Sequence, residues 1–377
     1  MKIIYCLNSI TENGGIANVT AAKANALAEI PGNDVYICVS DHKENNLSYP
    51  LSSKIRLIDL NIDYYNDDWK SKWNVVKGII VKRRKHKKAL KKILDEIKPD
   101  IVIAIGQSEK YFLPEIKGNA KAVREFHYPG NYRNLIAGSF LRKLKAIIEN
   151  IYDYKWKIKK YDRIILLTEE DRAMHWNTNK KVSIIQNPVT FSSPISSSLT
   201  NKKVITLGRL VDEKNHSSLI NAFSKVVNRH PDWILEIYGD GCLKETLQNQ
   251  IDNIGLSSNV KLQGIKPNPR ELYLDSSIFV LSSRFEGFGL VLIESMECGV
   301  PVVSYDCPCG PKDIITDGED GFLVPIGNEE ILAEKICYLI EHPEVRLKMG
   351  RAAKVKAENY SESKIGAQWM SLFKSLC

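Results

Sequence analysis

The residue types best suited to chemistry stand together in Ser282-Ser283-Arg284-Phe285-Glu286-Gly287-Phe288-Gly289-Leu290-Val291-Leu292-Ile293-Glu294. A carboxylate only accepts hydrogen bonds, so Glu286 in the loop and Glu294 about two helical turns further on both suit sugar hydroxyls. Glu294 is placed to reach a ribose beside a phosphate seated on the loop amides. Taken alone, the pair also reads as a solvated loop acid and a helix-face acid. The flanking elements favour the chemical reading. Ile278 to Leu281 is an apolar run that ends in two serines and a glycine-spaced loop. Leu290, Ile293 and Met296 then share a helical face, Gly299 and Pro301 stop the helix, and Pro301-Val302-Val303-Ser304 reads as a strand. Strand, loop, helix and strand form one βαβ unit, whose helix N-terminus favours an anion at the edge of a parallel sheet.

A second set lies upstream. Lys203 to Leu210 is a strand running into a loop, and Arg209 and Lys214 precede a helix carrying Leu219, Ala222, Phe223 and Val226. A guanidinium fork and a mobile ammonium offset the two charges of a diphosphate and stabilise charge on a departing one. By themselves they read as surface cations; beside the glycine loop the phosphate reading prevails.

Glu-x7-Glu within Arg-Phe-Glu-Gly-Phe-Gly-Leu, followed by Glu-Cys-Gly-Val-Pro-Val-Val, closely resembles the donor-site signature of retaining GT-B glycosyltransferases of family 4. The resemblance spans nearly all of the second half and is loose over the first. It implies an α/β GT-B fold: two Rossmann-like, doubly wound domains facing across a cleft. Residues 1–187 would bind the acceptor and 188–360 the nucleotide sugar, with the helix 361–377 packing back on the first domain and placing Trp369 and Phe373 between domains. It implies that Glu286 holds the donor sugar, that Gly287, Phe288, Gly289 and Leu290 line the donor, that Glu294 binds the ribose, and that Arg209 and Lys214 bind the diphosphate. Ile265, in the loop Ile265-Lys266-Pro267, is placed against the nucleotide base. Gly14 and Gly15, after the strand Ile3 to Leu7, are placed near the donor phosphates. Of that loop only the glycines carry over, because Ala17-Asn18 stands where the family often has a charged residue.

His127 ends the strand of Val123-Arg124-Glu125-Phe126-His127, ahead of a Pro-Gly loop. A lone histidine is more often structural, but the resemblance places one here against the transferred sugar or acceptor, with Arg124 and Tyr132 as acceptor-side candidates. The implied reaction moves a hexose or N-acetylhexosamine (galactose, glucose or their N-acetylamino forms) from a UDP-sugar to a lipid-linked or surface-polysaccharide acceptor. Cys309-Gly310-Pro311-Lys312-Asp313-Ile314-Ile315 looks like the corresponding segment of bacterial galactosyl- and N-acetylgalactosaminyltransferases. Configuration is retained, with the diphosphate helping to take the acceptor's proton. No cofactor or metal is expected: the chain contains no Asp-x-Asp, and Arg209, Lys214 and the helix N-terminus supply the charge. An epimerase of the same fold and a non-catalytic polyanion binder are the alternatives.

Length and charge bound the rest. The 377 residues exceed one core, and 44% hydrophobic with 26% charged residues describes an ordinary globular composition. No run approaches the roughly 20 apolar residues of a membrane span, and the N-terminus lacks a signal-peptide core, so a cytoplasmic protein peripheral to the inner membrane face is expected. Eight cysteines without a Cys-x-x-Cys pair suggest buried or incidental thiols. Residues 1–200 hold 33 Lys and Arg against 21 Asp and Glu, a net +12, whereas residues 201–377 hold 20 against 24, a net −4. The front half therefore meets something anionic.

The most basic stretch runs from Trp69 to Lys98, where Arg83, Arg84, Lys87, Lys88 and Lys91 stand among apolar residues at helical spacing. It reads as a solvated crossover helix, a surface for anionic lipid, a site for a lipid-linked pyrophosphate, or a nucleic-acid contact. Missing aromatic interleaving weighs against nucleic acid, and the overall pattern favours membrane or lipid phosphate. Phe140 to Lys160, basic and rich in Ile, Tyr and Trp, extends that surface. Asn187 to Ser198, with two prolines and five serines, reads as the interdomain linker.

Overall fold

A computed structural model describes the chain except residues 11–13, 42–48, 65–71, 137, 139, 177 and 178, and the side chains of 72–77, 141, 154, 155 and 157. Trp69, the expected start of the basic stretch, lies outside the described residues, as does the loop at 11–13.

The chain divides into two units. The first comprises residues 1–167, 171–188 and 362–377, and the second residues 168–170 and 189–361. Each is built on one parallel sheet. In the first, β1 (Lys2–Leu7), β2 (Asp34–Val39), β3 (Arg56–Asp59), β4 (Ile101–Ala104), β5 (Lys121–Glu125), β6 (Arg163–Leu166) and β7 (Val182–Ile184) are ordered β3-β2-β1-β4-β5-β6-β7. In the second, β8 (Lys203–Leu207), β9 (Ile234–Tyr238), β10 (Val260–Gly264), β11 (Ile278–Leu281), β12 (Val302–Tyr305) and β13 (Gly321–Val324) are ordered β10-β9-β8-β11-β12-β13. Runs such as Ile101-Val102-Ile103-Ala104 and Ile278-Phe279-Val280-Leu281 are buried at every position, as strands covered on both faces require. The strand order reverses between β1 and β4 and between β8 and β11. A sheet opens a crevice at such a point, outside the carboxyl ends of its strands.

The helices that matter here are α1 (Gly15–Ala28), α2 (Lys72–Ile97), α3 (Phe140–Ile151), α4 (His216–Arg229), α5 (Leu290–Glu297), α6 (Glu329–Glu341), α7 (Pro343–Ala357) and α8 (Glu362–Leu376). Among the described residues no helix is long and apolar enough to cross a membrane. Helix α8 lies against α1, and Gly366 lets them approach: a Cβ there would stand 3.2 Å from that of Ala26. Trp369 and Phe373 on α8 are fully buried in the core of the first unit with Ile3, Tyr5 and Leu27. They are core residues of one unit, not residues between two.

The stretch read as a linker is anchored along most of its length. Thr190, Ser193 and Ser197 are buried. The Val189 amide donates to Tyr360 O at 2.9 Å and the Ser197 amide to Cys298 O at 2.8 Å. Serine and proline composition signals irregular backbone, but these hydroxyls and amides find partners on the second unit. Residues 168–170 join that unit too: the Glu169 amide donates to Asp313 Oδ1 at 2.8 Å, and Glu170 Oε2 accepts from the Cys309 amide at 2.7 Å.

Candidate functional site

The switch point of the second sheet lies between β8 and β11, and the loops following those strands carry the cations and the first glutamate. The approach between the β8 and β9 loops depends on Gly239. Its φ is +144°, and a Cβ there would stand 1.9 Å from Gly208 O, so only glycine fits. Lys214 ends the β8 loop and its Nζ reaches Glu286 Oε1 at 2.7 Å. Ser283 Oγ donates to the same oxygen at 2.6 Å. The Glu286 amide donates to Pro308 O at 3.0 Å, fixing the β11 loop to the one after β12. Gly310 permits that contact: with φ +154°, its Cβ would fall 2.3 Å from Phe288 O. Gly289, at φ +89°, leads into α5, while Gly287 and Leu290 are half-buried and Phe288 is buried edge-on to the Tyr360 ring.

Arg209 turns the other way, its Nη2 2.7 Å from Glu213 Oε1 on an exposed edge. Its backbone is held from beneath by His216, whose Nε2 lies 3.2 Å from Arg209 O. A carbonyl only accepts, so that nitrogen carries the proton and Nδ1 is bare. Burial lowers the His216 pKa to about 4.

Glu294, on the buried side of α5, accepts from Thr190 Oγ1 at 2.6 Å and Tyr273 OH at 3.2 Å. Burial dominates these two donors and raises its pKa to about 7. The sequence shows neither donor, since one is 104 residues away. Ile265 is exposed, at the start of the loop after β10. Lys214, Glu286, Gly287, Phe288, Gly289, Leu290 and Glu294 thus lie on or beside one loop and helix of this unit, with Arg209 six residues before His216's neighbour Asn215 in the facing loop.

The first unit has its own cluster at the carboxyl ends of its strands. Lys23 on α1 pairs with Glu125 at the end of β5, and His127 Nε2 stands 3.2 Å from Glu125 Oε1. All three side chains are buried. Burial opposes ionisation of Glu125, but Lys23 and His127 prevail and hold its carboxyl down to about 2. Burial lowers the His127 pKa. The Lys23 ammonium also lies 5.6 Å from the centre of the Trp369 ring, so α8 covers this pair. Gly14 and Gly15 are exposed where α1 begins.

Arg124 is buried, donating to Ala104 O at 2.9 Å and Gly106 O at 2.8 Å. The Tyr132 and Tyr128 rings have their centres 4.7 Å apart and are tilted by 33°. On α2 much of the basic run is engaged within the chain. Lys87 meets Glu115 at 2.8 Å, Lys91 meets Asp95 at 2.6 Å, and Arg83 lies over the Tyr111 ring at 4.4 Å. Arg84 and Lys88 are exposed.

Two parallel sheets, each with a switch point, define a double Rossmann protein, and the switch point of the second brings Lys214 against Glu286. The family model described as Glycosyl transferases group 1 matches residues 191–356, within the second unit. An uncharacterized glycosyltransferase of Haemophilus influenzae is 26% identical over 98% of this chain and 99% of its own length. A Campylobacter jejuni protein named GalNAc-α-(1→4)-GalNAc-α-(1→3)-diNAcBac-PP-undecaprenol α-1,4-N-acetyl-D-galactosaminyltransferase is 25% identical over 99% of this chain and 98% of its own. Other curated relatives are longer, and the chain spans only 23% to 57% of several of them. Among solved structures, a variant of S. aureus TarM in complex with fondaparinux, α-GlcNAc-glycerol and UDP superposes with a TM-score of 0.77 at 19% identity, over 99% of both chains. The chain has the two Rossmann-like domains of the GT-B fold, and its second unit matches the glycosyl transferases group 1 model.

Proposed function

We propose that this chain moves a hexose or N-acetylhexosamine from a UDP-sugar to a lipid-linked or surface-polysaccharide saccharide, with retention of anomeric configuration, at the inner face of the membrane. The Lys214–Glu286 contact carries the reading. It holds a mobile ammonium and a hydroxyl-accepting carboxylate together beside a loop that leads into a helix N-terminus. A diphosphate draws Lys214 and Arg209 to itself, with the loop amides and without a metal. Glu286, released from Lys214, accepts from the sugar's hydroxyls, and Glu294 from the ribose. Ile265 covers the base.

In this reading the bond between the anomeric carbon and the diphosphate oxygen breaks, and the acceptor oxygen bonds to the same face. The acceptor's proton passes to the departing diphosphate. Arg209 and Lys214 stabilise the charge that collects there. His127, beside Glu125, serves the transferred sugar or the acceptor, and the first unit takes the acceptor. The full-length Campylobacter relative supports the lipid-linked acceptor through its name, and the TarM complex supports UDP.

Incubation with a panel of nucleotide sugars tests this without knowing the acceptor. One UDP-sugar should release UDP slowly by transfer to water. Conversion of the sugar with no UDP release would mean an epimerase instead.

A further inference from the structure

Helix α3 turns its apolar side to solvent. Phe140, Leu144, Ile147, Ile148 and Ile151 recur at helical spacing and share one face. All of them are exposed, Phe140 at 79% and Ile148 at 61%, whereas Ala146 on the other side is buried. Beyond the helix Tyr152 is also exposed, and Trp156 is 71% exposed. A surface helix ordinarily buries such a stripe against its own core. A contiguous outward stripe marks an interaction site.

Cations border the stripe on the side where it is open. Ile148 and Tyr152 line one groove together with Ile80, Arg83, Arg84 and Lys87 of α2. Lys87 meets Glu115 at 2.8 Å, and Glu115 also meets Lys160 at 3.2 Å. The other carboxylates of the groove are engaged elsewhere. Glu149 lies 3.7 Å from Arg133 and 3.8 Å from Lys145, and Asp153 holds Lys110 at 3.0 Å and Arg133 at 2.5 Å. Arg83 and Arg84 belong to none of these pairs: Arg83 lies over the Tyr111 ring at 4.4 Å, and Arg84 is exposed. Along the stripe itself Lys143, one turn from both Phe140 and Ile147, is exposed as well.

We propose that α3 docks this unit on an anionic lipid bilayer, its apolar stripe among the acyl chains and Arg83, Arg84 and Lys143 at the headgroup phosphates. The inference deepens the membrane location in the proposed function and rests on that reading for its place in the cell, not for the binding itself. Its 12 residues are too few to span a bilayer, so the helix lies in the interfacial plane. Trp156 and Tyr152 are the side chains that favour that depth. The bordering cations select the occupant. A second copy meeting the same face would bring Arg83, Arg84 and Lys143 against their own likes, whereas lipid phosphates answer them.

Co-sedimentation of the full chain with two kinds of vesicle tests it: phosphatidylcholine alone, and phosphatidylcholine mixed equally with phosphatidylglycerol. The wild type should pellet with the mixed vesicles and bind the neutral ones ~10-fold or more weakly. Arg83→Ala/Arg84→Ala should lose ~10- to 30-fold in affinity for the mixed vesicles. Phe140→Ser/Ile148→Ser/Trp156→Ser should lose ~100-fold or more. These side chains are exposed or partly exposed, so melting temperatures should match the wild type and show both variants folded. Equal binding to both vesicles, binding to neither, or an unchanged affinity in either variant would overturn the proposal. So would a wild type that runs as a dimer and becomes a monomer when the stripe is altered, since a second copy would then cover the face. Protein that pellets with vesicles but binds no nucleotide would leave this inference standing and remove the proposed transfer reaction.

Discussion

Lys214 Nζ and Glu286 Oε1 lie 2.7 Å apart although 72 residues separate them in the chain. Each neutralises the other in this contact. Under the proposed function the pair exchanges partners, the ammonium turning to phosphate and the carboxylate to sugar hydroxyls.

Removing the negative charge of Glu286 should act on the sugar and not on the nucleotide. Glu286→Gln keeps the shape, so UDP affinity should change less than ~3-fold while kcat/KM for UDP-sugar turnover falls ~100-fold or more. Parallel titration of UDP and steady-state assay of UDP release separate the two. Equal losses in both would mean the residue has only a structural part.

Glu294 makes apo stability pH-dependent with a defined sign. Its carboxyl titrates near 7 in the fold, above the usual 4.5. A raised acid stabilises fully below its unfolded pKa and loses that contribution as pH rises through its folded one. Thermal unfolding from pH 5 to pH 8.5 should show wild type losing up to about 3 kcal/mol relative to Glu294→Gln. Parallel pH profiles for the two proteins would contradict this account of Glu294.

The expectations drawn from residue patterns succeeded where a local rule governs. The apolar run at Ile278–Leu281, the helix Leu290–Glu297 and the strand Val302–Tyr305 follow from period, glycine and proline, and form as read. Partners supplied from far along the chain were not legible. Thr190, Tyr273 and His216 carry no signal of their own until folding places them under Glu294 and Arg209. The partners of the basic stretch were equally illegible. Composition counts lysines, but only the fold shows that Glu115 and Asp95 take two of those on α2, while α3 turns its apolar face outward.

The buried Lys23–Glu125 pair should behave as a unit. Lys23→Met alone strands a buried carboxylate and should cost about 3–5 kcal/mol. Lys23→Met/Glu125→Leu should recover much of that, since no isolated charge remains. Chemical denaturation of both singles and the double closes the cycle, and additive losses would show that the two residues do not interact.

Backbone crowding predicts a contrast between two glycines of the second unit. Gly310→Ala drives a Cβ toward Phe288 O and should displace the loop carrying Glu286, with loss of donor binding. Gly318 also has positive φ, +80°, but open space around it, so Gly318→Ala should cost only about 1 kcal/mol and leave binding intact. Melting temperature and UDP titration of each variant check the pair.

Calorimetric titration of UDP into the wild type and Lys214→Ala, side by side, reaches the central point most directly. If the loops after β8 and β11 grip a diphosphate, the wild type binds UDP and the variant binds it ~10- to 100-fold more weakly. Wild-type protein that binds no UDP, or a variant that binds it as well, would contradict the placement of the nucleotide sugar at this site.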